Sequence, residues 1–125
     1  MKNTESLKLN KDFKRLYYRA KSVVCRNVVV YAMPNRKKTL RLGLTCGKSI
    51  GKAVQRNRAK RLMREAYRLL EDRLIPGNDI VLVARTRALG SKCIHMCRDM
   101  EFAFSKLGLI EENEKNTDCS GEILP

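Results

Sequence analysis

Apolar residues recur along the chain with two periods, and the switches between them mark the elements. Leu9, Phe13, Leu16 and Tyr17 are spaced for one face of a helix, and Asn10 can cap its start. This predicts a short helix over 10–19. Over 22–32 the period becomes two, with Val28, Val30 and Ala32 alternating against Asn27, Val29 and Tyr31 in a Val-rich strand. The polar loop Pro34-Asn35-Arg36-Lys37-Lys38 follows. A second alternating run then puts Leu40, Leu42, Leu44 and Cys46 on one face and Arg41, Gly43 and Thr45 on the other. Two such runs joined by a polar loop predict an antiparallel hairpin.

Beyond a loop over 47–52, helical spacing runs over 53–72 until Pro76-Gly77-Asn78 turns the chain. Ile80-Val81-Leu82-Val83-Ala84 is apolar without interruption, which predicts a strand buried on both faces. Ser91 is placed to cap a last helix over 92–107, with Ile94, Cys97, Met100, Phe104 and Leu107 inward. The order αββαβα predicts an α+β two-layer sandwich with a small mixed sheet. The length suits one domain, expected over 1–107. Residues 108–125 turn acidic and polar and are expected to form a disordered tail.

Charge then narrows the function. The chain carries 27 Lys and Arg against 13 Asp and Glu, a net +14. The tail holds five of the acids and only Lys115, so residues 1–107 keep 26 bases and 8 acids, or +18. A body with that charge repels itself, and a polyanion relieves the repulsion. No apolar run approaches the roughly 18 residues of a spanning helix, and the N-terminus lacks the apolar stretch of a signal peptide. A cytoplasmic protein with no membrane partner is expected. Five cysteines fit that compartment, being odd in number and without paired spacing. Cys93-Ile94-His95-Met96-Cys97 offers a partial zinc set, but no second Cys/His pair completes it, so core thiols are expected and no metal.

The 53–72 helix concentrates the charge. At about 100° per residue, Arg56, Lys60, Arg64, Asn57, Arg68 and Arg61 fall within one arc of about 140°. Leu69, Leu62, Ala66, Ala59, Leu70 and Met63 fill the opposite side, with Tyr67 at the boundary and Glu65 and Arg58 at the other edge. A solvated face usually alternates signs; this arc has five bases and no acid. Arg56/Lys60, Lys60/Arg64 and Arg64/Arg68 repel at a spacing of four, which favours an external anion. The arginine fork suits phosphate. Gly43-Leu44-Thr45-Cys46-Gly47-Lys48-Ser49 is one residue short of a P-loop, yet Lys48, Lys52 and the helix start still favour a phosphate nearby.

Phe13, Tyr17, Tyr18 and Tyr31 form a second candidate surface, with Lys11, Lys14, Arg15, Arg19 and Arg26 around them. Rings among bases suit unpaired nucleotides; core packing explains Phe13 equally well, while the polar tips of Tyr17 and Tyr31 favour a partly open groove. Catalytic groups are missing. His95 is the only histidine and the carboxylates are scattered, so no catalytic residue is assigned.

Gly51-Lys52-Ala53-Val54-Gln55-Arg56-Asn57-Arg58-Ala59-Lys60-Arg61-Leu62-Met63-Arg64-Glu65-Ala66 closely resembles the signature of the protein subunit of bacterial ribonuclease P. Leu9-Asn10-Lys11-Asp12-Phe13, Val28-Val29-Val30-Tyr31 and Ile80-Val81-Leu82-Val83-Ala84-Arg85 resemble its first helix and two of its strands, so the likeness spans residues 7–107. Ala20 stands where the family often has a glycine.

The resemblance implies an α–β sandwich with a left-handed crossover. It implies a ribonucleoprotein endonuclease that removes the 5′ leader from precursor tRNA. The chemistry and its Mg2+ would belong to the RNA, and the protein alone would bind no cofactor. By position, Arg56, Asn57, Arg58, Lys60, Arg61 and Arg64 would contact ribonuclease P RNA, with Lys52 and Arg68 on the same surface. Phe13, Tyr17 and Tyr31, with Lys48, would line a groove for the precursor tRNA leader. The alternatives are a small ribosomal or other structural RNA-binding protein and, third, a DNA binder. A DNA reader usually sets Asn or Gln among its bases, and this arc has only Asn57.

Overall fold

The computed structural model describes residues 4–7, 10–35, 39–47 and 50–110. Five strands form one mixed sheet: β1 (Thr4–Ser6), β2 (Lys21–Val24), β3 (Val28–Pro34), β4 (Leu40–Cys46) and β5 (Asn78–Ala84). Three helices pack on it: α1 (Asn10–Arg19), α2 (Ala53–Leu70) and α3 (Cys93–Lys106). Short 3-10 turns at Glu71–Arg73 and Thr86–Gly90 flank β5.

The strand order is β1-β4-β5-β3-β2. The expected hairpin between the second and third of these elements to be read from sequence is therefore corrected. β3 and β4 do not pair; β5 lies between them, antiparallel to β3 and parallel to β4. Alternation reports which face is buried but not which neighbour covers the edge. The expected single strand over 22–32 is two strands, β2 and β3, paired antiparallel around a turn at Cys25–Asn27. The short β1, parallel to β4, adds a fifth strand to the expected three.

β5 is the centre of the molecule. Ile80, Val81 and Leu82 are fully buried, worth about 1.5–3 kcal/mol each. Ile80, Leu82 and Ala84 join Val28, Val30, Leu42 and the buried residues of α2 and α3 in the larger core. Val81 joins Leu7 and Leu16 in a smaller core on the other face, with Phe13, Tyr31 and Met33 packed against it. The sandwich of sheet and α2/α3 thus carries a third, partial layer in α1. Arg41 ties that layer down, reaching Asp12 of α1 at 2.8 Å and the buried Asp79 at 3.6 Å.

α1 has the expected bounds. α3 starts at Cys93 and is not capped by Ser91. His95 closes the start instead: its N–H bonds the Lys92 carbonyl (3.1 Å), and its Nδ1 accepts the Lys92 N–H (3.3 Å). Its buried face is Met96, Met100, Ala103 and Phe104, while Ile94, expected inward, is exposed. Gly108, at φ 73°, ends α3. The N–H groups of Leu109 and Gly108 return to the Phe104 and Ser105 carbonyls, a paired closure that needs a left-handed residue. Leu109 and Ile110 are buried and bridge to Leu74–Ile75, so the fold extends three residues past the expected boundary at 107. The acidic segment from residue 111 lies outside the described residues.

Candidate nucleic-acid interface

α2 leaves the end of β4 through the 47–52 loop and returns to β5, lying across the larger core. Its buried face is Ala59, Met63, Ala66, Tyr67 and Leu70. That face is turned about 50° from the apolar side expected from the sequence. Tyr67, expected at the boundary, is 0% exposed, while Leu69, expected inward, is 67% exposed. The cause lies outside the helix. The Tyr67 hydroxyl meets Thr4 Oγ1 of β1 at 2.8 Å, and Thr4 in turn donates to Glu71. The Tyr67 ring stands edge-on to Phe104 of α3 at 6.4 Å. Burial pushes the Tyr67 hydroxyl up to about 12.

The rotation sorts the predicted contact residues. Asn57, Arg58, Arg61, Arg64 and Arg68 are exposed, as is Lys52 just before the helix. Arg56 and Lys60 sink to half-burial. Arg56 Nη1 donates to the Ile50 carbonyl at 2.8 Å, fastening the 47–52 loop onto the first turn. Sequence spacing placed Arg56 in the arc but could not show this tether. Among the described residues, none of the six α2 bases forms an ion pair. The first turn of α2 has no acid, so the positive end of the helix adds to the same potential.

The second surface lies across the sheet from α2. Asn10, Phe13, Lys14 and Tyr17 of α1 face Leu44 and Thr45 of β4 across a groove of about 350 Å³. Tyr17 is 44% exposed and rests edge-on against Tyr31, ring centres 5.0 Å apart. Partial burial, then the neighbouring Tyr31 hydroxyl, raises the Tyr17 pKa. Tyr31 is half-buried and packs behind Tyr17. Phe13 lies on the strand backbone at Gly43. A Cβ there would sit 2.6 Å from Phe13 Cζ and 2.7 Å from Cε1. This explains a glycine that only looked like part of a nucleotide loop. Lys48, placed in this groove from sequence, lies outside the described residues. Arg26, grouped with these rings, stands instead beside Arg87 and Arg98 at another pocket.

Among the described residues, no three His, Cys, Asp or Glu side chains gather to hold a metal ion. Cys93 and Cys97 pack partly buried against the main core. Burial, then the neighbouring Glu101, raises the Cys97 thiol. Cys25 is pushed up to about 11 by burial, then by Asp99, and donates to the Asp99 carbonyl at 3.4 Å. No helix among the described residues is long and apolar enough to cross a membrane.

The sequence model of the Ribonuclease P family matches residues 1–108. The chain belongs to this family. The ribonuclease P protein component of Caldanaerobacter subterraneus subsp. tengcongensis is 40% identical over 109 residues, covering 87% of this chain and 94% of the relative. That of Clostridium acetobutylicum is 37% identical over 112 residues, covering 88% and 94%. Among solved structures, the RNase P protein of Staphylococcus aureus superposes with TM-score 0.74 at 30% identity, covering 85% of this chain and 97% of that one. The RNase P protein of Thermotoga maritima superposes with TM-score 0.71 at 28% identity, covering 86% and 99%. The mixed α+β fold is thus that of the RNase P proteins, and the chain is a ribonuclease P protein component. Membership of this family favours neither the ribosomal nor the DNA-binding alternative.

Proposed function

We propose that this component acts in the cytoplasm on an RNA-catalysed reaction, the endonucleolytic removal of the 5′ leader from precursor tRNA. The outer face of α2 docks on ribonuclease P RNA through Lys52, Asn57, Arg58, Arg61, Arg64 and Arg68, with Lys60 at its edge. Arg56 holds the loop that presents them. The α1 groove, with Phe13 and Tyr17 exposed to it and Tyr31 behind, takes unpaired leader nucleotides, and Lys48 serves their phosphates. Mg2+ acts at sites on the RNA, and no step is assigned to a metal held by this chain. By neutralising phosphates, the protein would strengthen substrate and metal binding by the RNA.

One observation carries this proposal: α2 keeps a row of exposed bases without an ion pair among the described residues, against their mutual repulsion. The test is addition of the chain to a bacterial ribonuclease P RNA. It should restore leader cleavage at a magnesium concentration too low for the RNA alone, and no stimulation would sink the proposal.

A further inference from the structure

A second basic concavity lies away from both surfaces. It encloses about 700 Å³ between the Cys25–Asn27 turn, the Thr86–Gly90 turn and the first half of α3. Arg26, Arg87 and Arg98 line it with His95, and Asp99 is its only carboxylate. Among the described residues none of the three arginines has an ion-pair partner.

Its floor is built and rigid. Asn27 is 5% exposed, and each of its polar atoms is engaged. Its backbone N–H and Nδ2 both donate to Asp99 Oδ2, at 2.9 and 3.0 Å. Its Oδ1 accepts from Ser91 Oγ at 2.6 Å, and its carbonyl accepts the Arg85 N–H at 2.9 Å. Asp99 Oδ2 thus holds the turn and forms no ion pair among the described residues, and its single charge leaves the three guanidiniums in excess. His95 Nδ1 accepts the Lys92 N–H. In the neutral ring the proton is therefore on Nε2, which adds a donor. Three guanidinium groups and an imidazole around one cavity, with a single carboxylate already engaged, match the oxygens of a phosphodiester.

Position decides which polyanion. Asn27, Arg85 and Gly47 lie side by side at one end of β3, β5 and β4, since the Gly47 N–H bonds the Ala84 carbonyl at 2.9 Å. At two strand spacings, the turn at Asn27 is roughly 10 Å from the start of the loop that feeds α2. The wall made by α3 belongs to the sheet face that carries α2, opposite the α1 groove. We propose that this pocket is a second phosphate-docking point for ribonuclease P RNA, extending the α2 contact along the end of the sheet. The proposal rests on the RNA-docking role given to α2.

The test uses the full chain and a ribonuclease P RNA transcript, with affinity measured across salt concentrations. Arg87→Ala plus Arg98→Ala should flatten the salt slope by about 1.4–1.8 and weaken binding about tenfold. Arg87→Lys plus Arg98→Lys, which keeps the charge, should restore most of the slope. Arg61→Ala plus Arg64→Ala on α2 is the control. If the control shifts and the pocket variant does not, the pocket proposal is overturned while α2 docking stands. If neither shifts, docking by α2 itself fails. A loss seen only in precursor tRNA affinity of the assembled complex would also overturn the assignment to ribonuclease P RNA. A thermal melt checks folding. Should the double variant not fold, ultraviolet cross-linking of the wild-type chain decides. Cross-linked peptides spanning 85–98 are expected, and their absence beside cross-linked α2 peptides refutes the pocket.

Discussion

Replacing Arg61 and Arg64 together by alanine should move two quantities in opposite directions. Both side chains are exposed on the outer face of α2, and neither has an ion-pair partner among the described residues. The change removes like-charge pairs at spacing four (Lys60/Arg64, Arg64/Arg68) and at spacing three (Arg58/Arg61, Arg61/Arg64). It sacrifices one attractive pair, Arg61/Glu65. At about 0.2–0.5 kcal/mol per pair, a net three pairs give the free protein about 0.6–1.5 kcal/mol. For a domain of this size that raises Tm by roughly 2–8 °C at low salt. The gain should shrink as salt rises and the Debye length falls from about 10 Å at 0.1 M to about 3 Å at 1 M. RNA binding should move the other way. Loss of two phosphate contacts lowers the slope of log affinity against log salt by about 1.4–1.8. Thermal melts and salt-dependent binding to ribonuclease P RNA read the two effects separately. A higher Tm with an unchanged slope would show an ordinary solvated face. A lower Tm would show that the arginines hold the fold through contacts absent from this structure.

The other expectations concern single positions. Tyr17→Ala should spare assembly with the RNA yet weaken binding of precursor tRNA more than of mature tRNA; equal loss for both would make Tyr17 a packing residue only. Gly43→Ala should cost about 1–3 kcal/mol by urea denaturation, because its methyl group meets the Phe13 ring. In a Phe13→Ala background most of that cost should vanish, and strictly additive costs would show that the ring is not the obstacle. Arg56→Ala should lower stability by about 1.5–3 kcal/mol, since the Ile50 carbonyl loses a charged donor. An Arg56→Ala variant as stable as the wild type would restore Arg56 to the free docking residues. Tyr67 ionises near 10 in the unfolded chain and at about 12 when folded. Its contribution is therefore complete below pH 10 and lost as pH rises towards 12, with a slope approaching about 1.4 kcal/mol per pH unit. Tyr67→Phe should remove that part of the alkaline destabilisation, and an unchanged alkaline profile would refute it.

Local pattern sufficed wherever one element's own residues decide its state. The run from Ile80 to Ala84 in β5 is apolar throughout because it is covered by α1 on one face and by α2 and α3 on the other, so its sequence alone marks the centre of the sheet. α1 carries its apolar spacing within ten residues. The break between β2 and β3 is different, because Val23-Val24 and Val28-Val29-Val30 read as one β-rich run. What breaks it is Asp99, 72 residues away, whose carboxylate takes both N–H groups of Asn27. The placement of β5 between β3 and β4 was hidden for the same reason. Leu40, Leu42 and Cys46 face the core identically whichever strand lies alongside.

The docking face shows where helical arithmetic stops. Angles along α2 fix the order of its residues around the axis but not the direction in which the sheet lies. The polar tip of Tyr67 made it look like a surface residue, yet Thr4 and Glu71 meet that tip inside. Burying Tyr67 rolls the helix about 50°. The roll lifts Leu69 into solvent and lowers Arg56 and Lys60 onto the flank. The bases of α2 therefore differ in what they touch. Arg56, nearest the loop, spends one of its five donors inside the protein and fixes the path of residues 50–56. Arg61, Arg64 and Arg68, about one to three turns further on, spend none among the described residues. The recognisable Arg56-Asn57-Arg58 core is thus in part a structural fastening through Arg56, while Asn57 and Arg58 stay exposed with Arg61, Arg64 and Arg68.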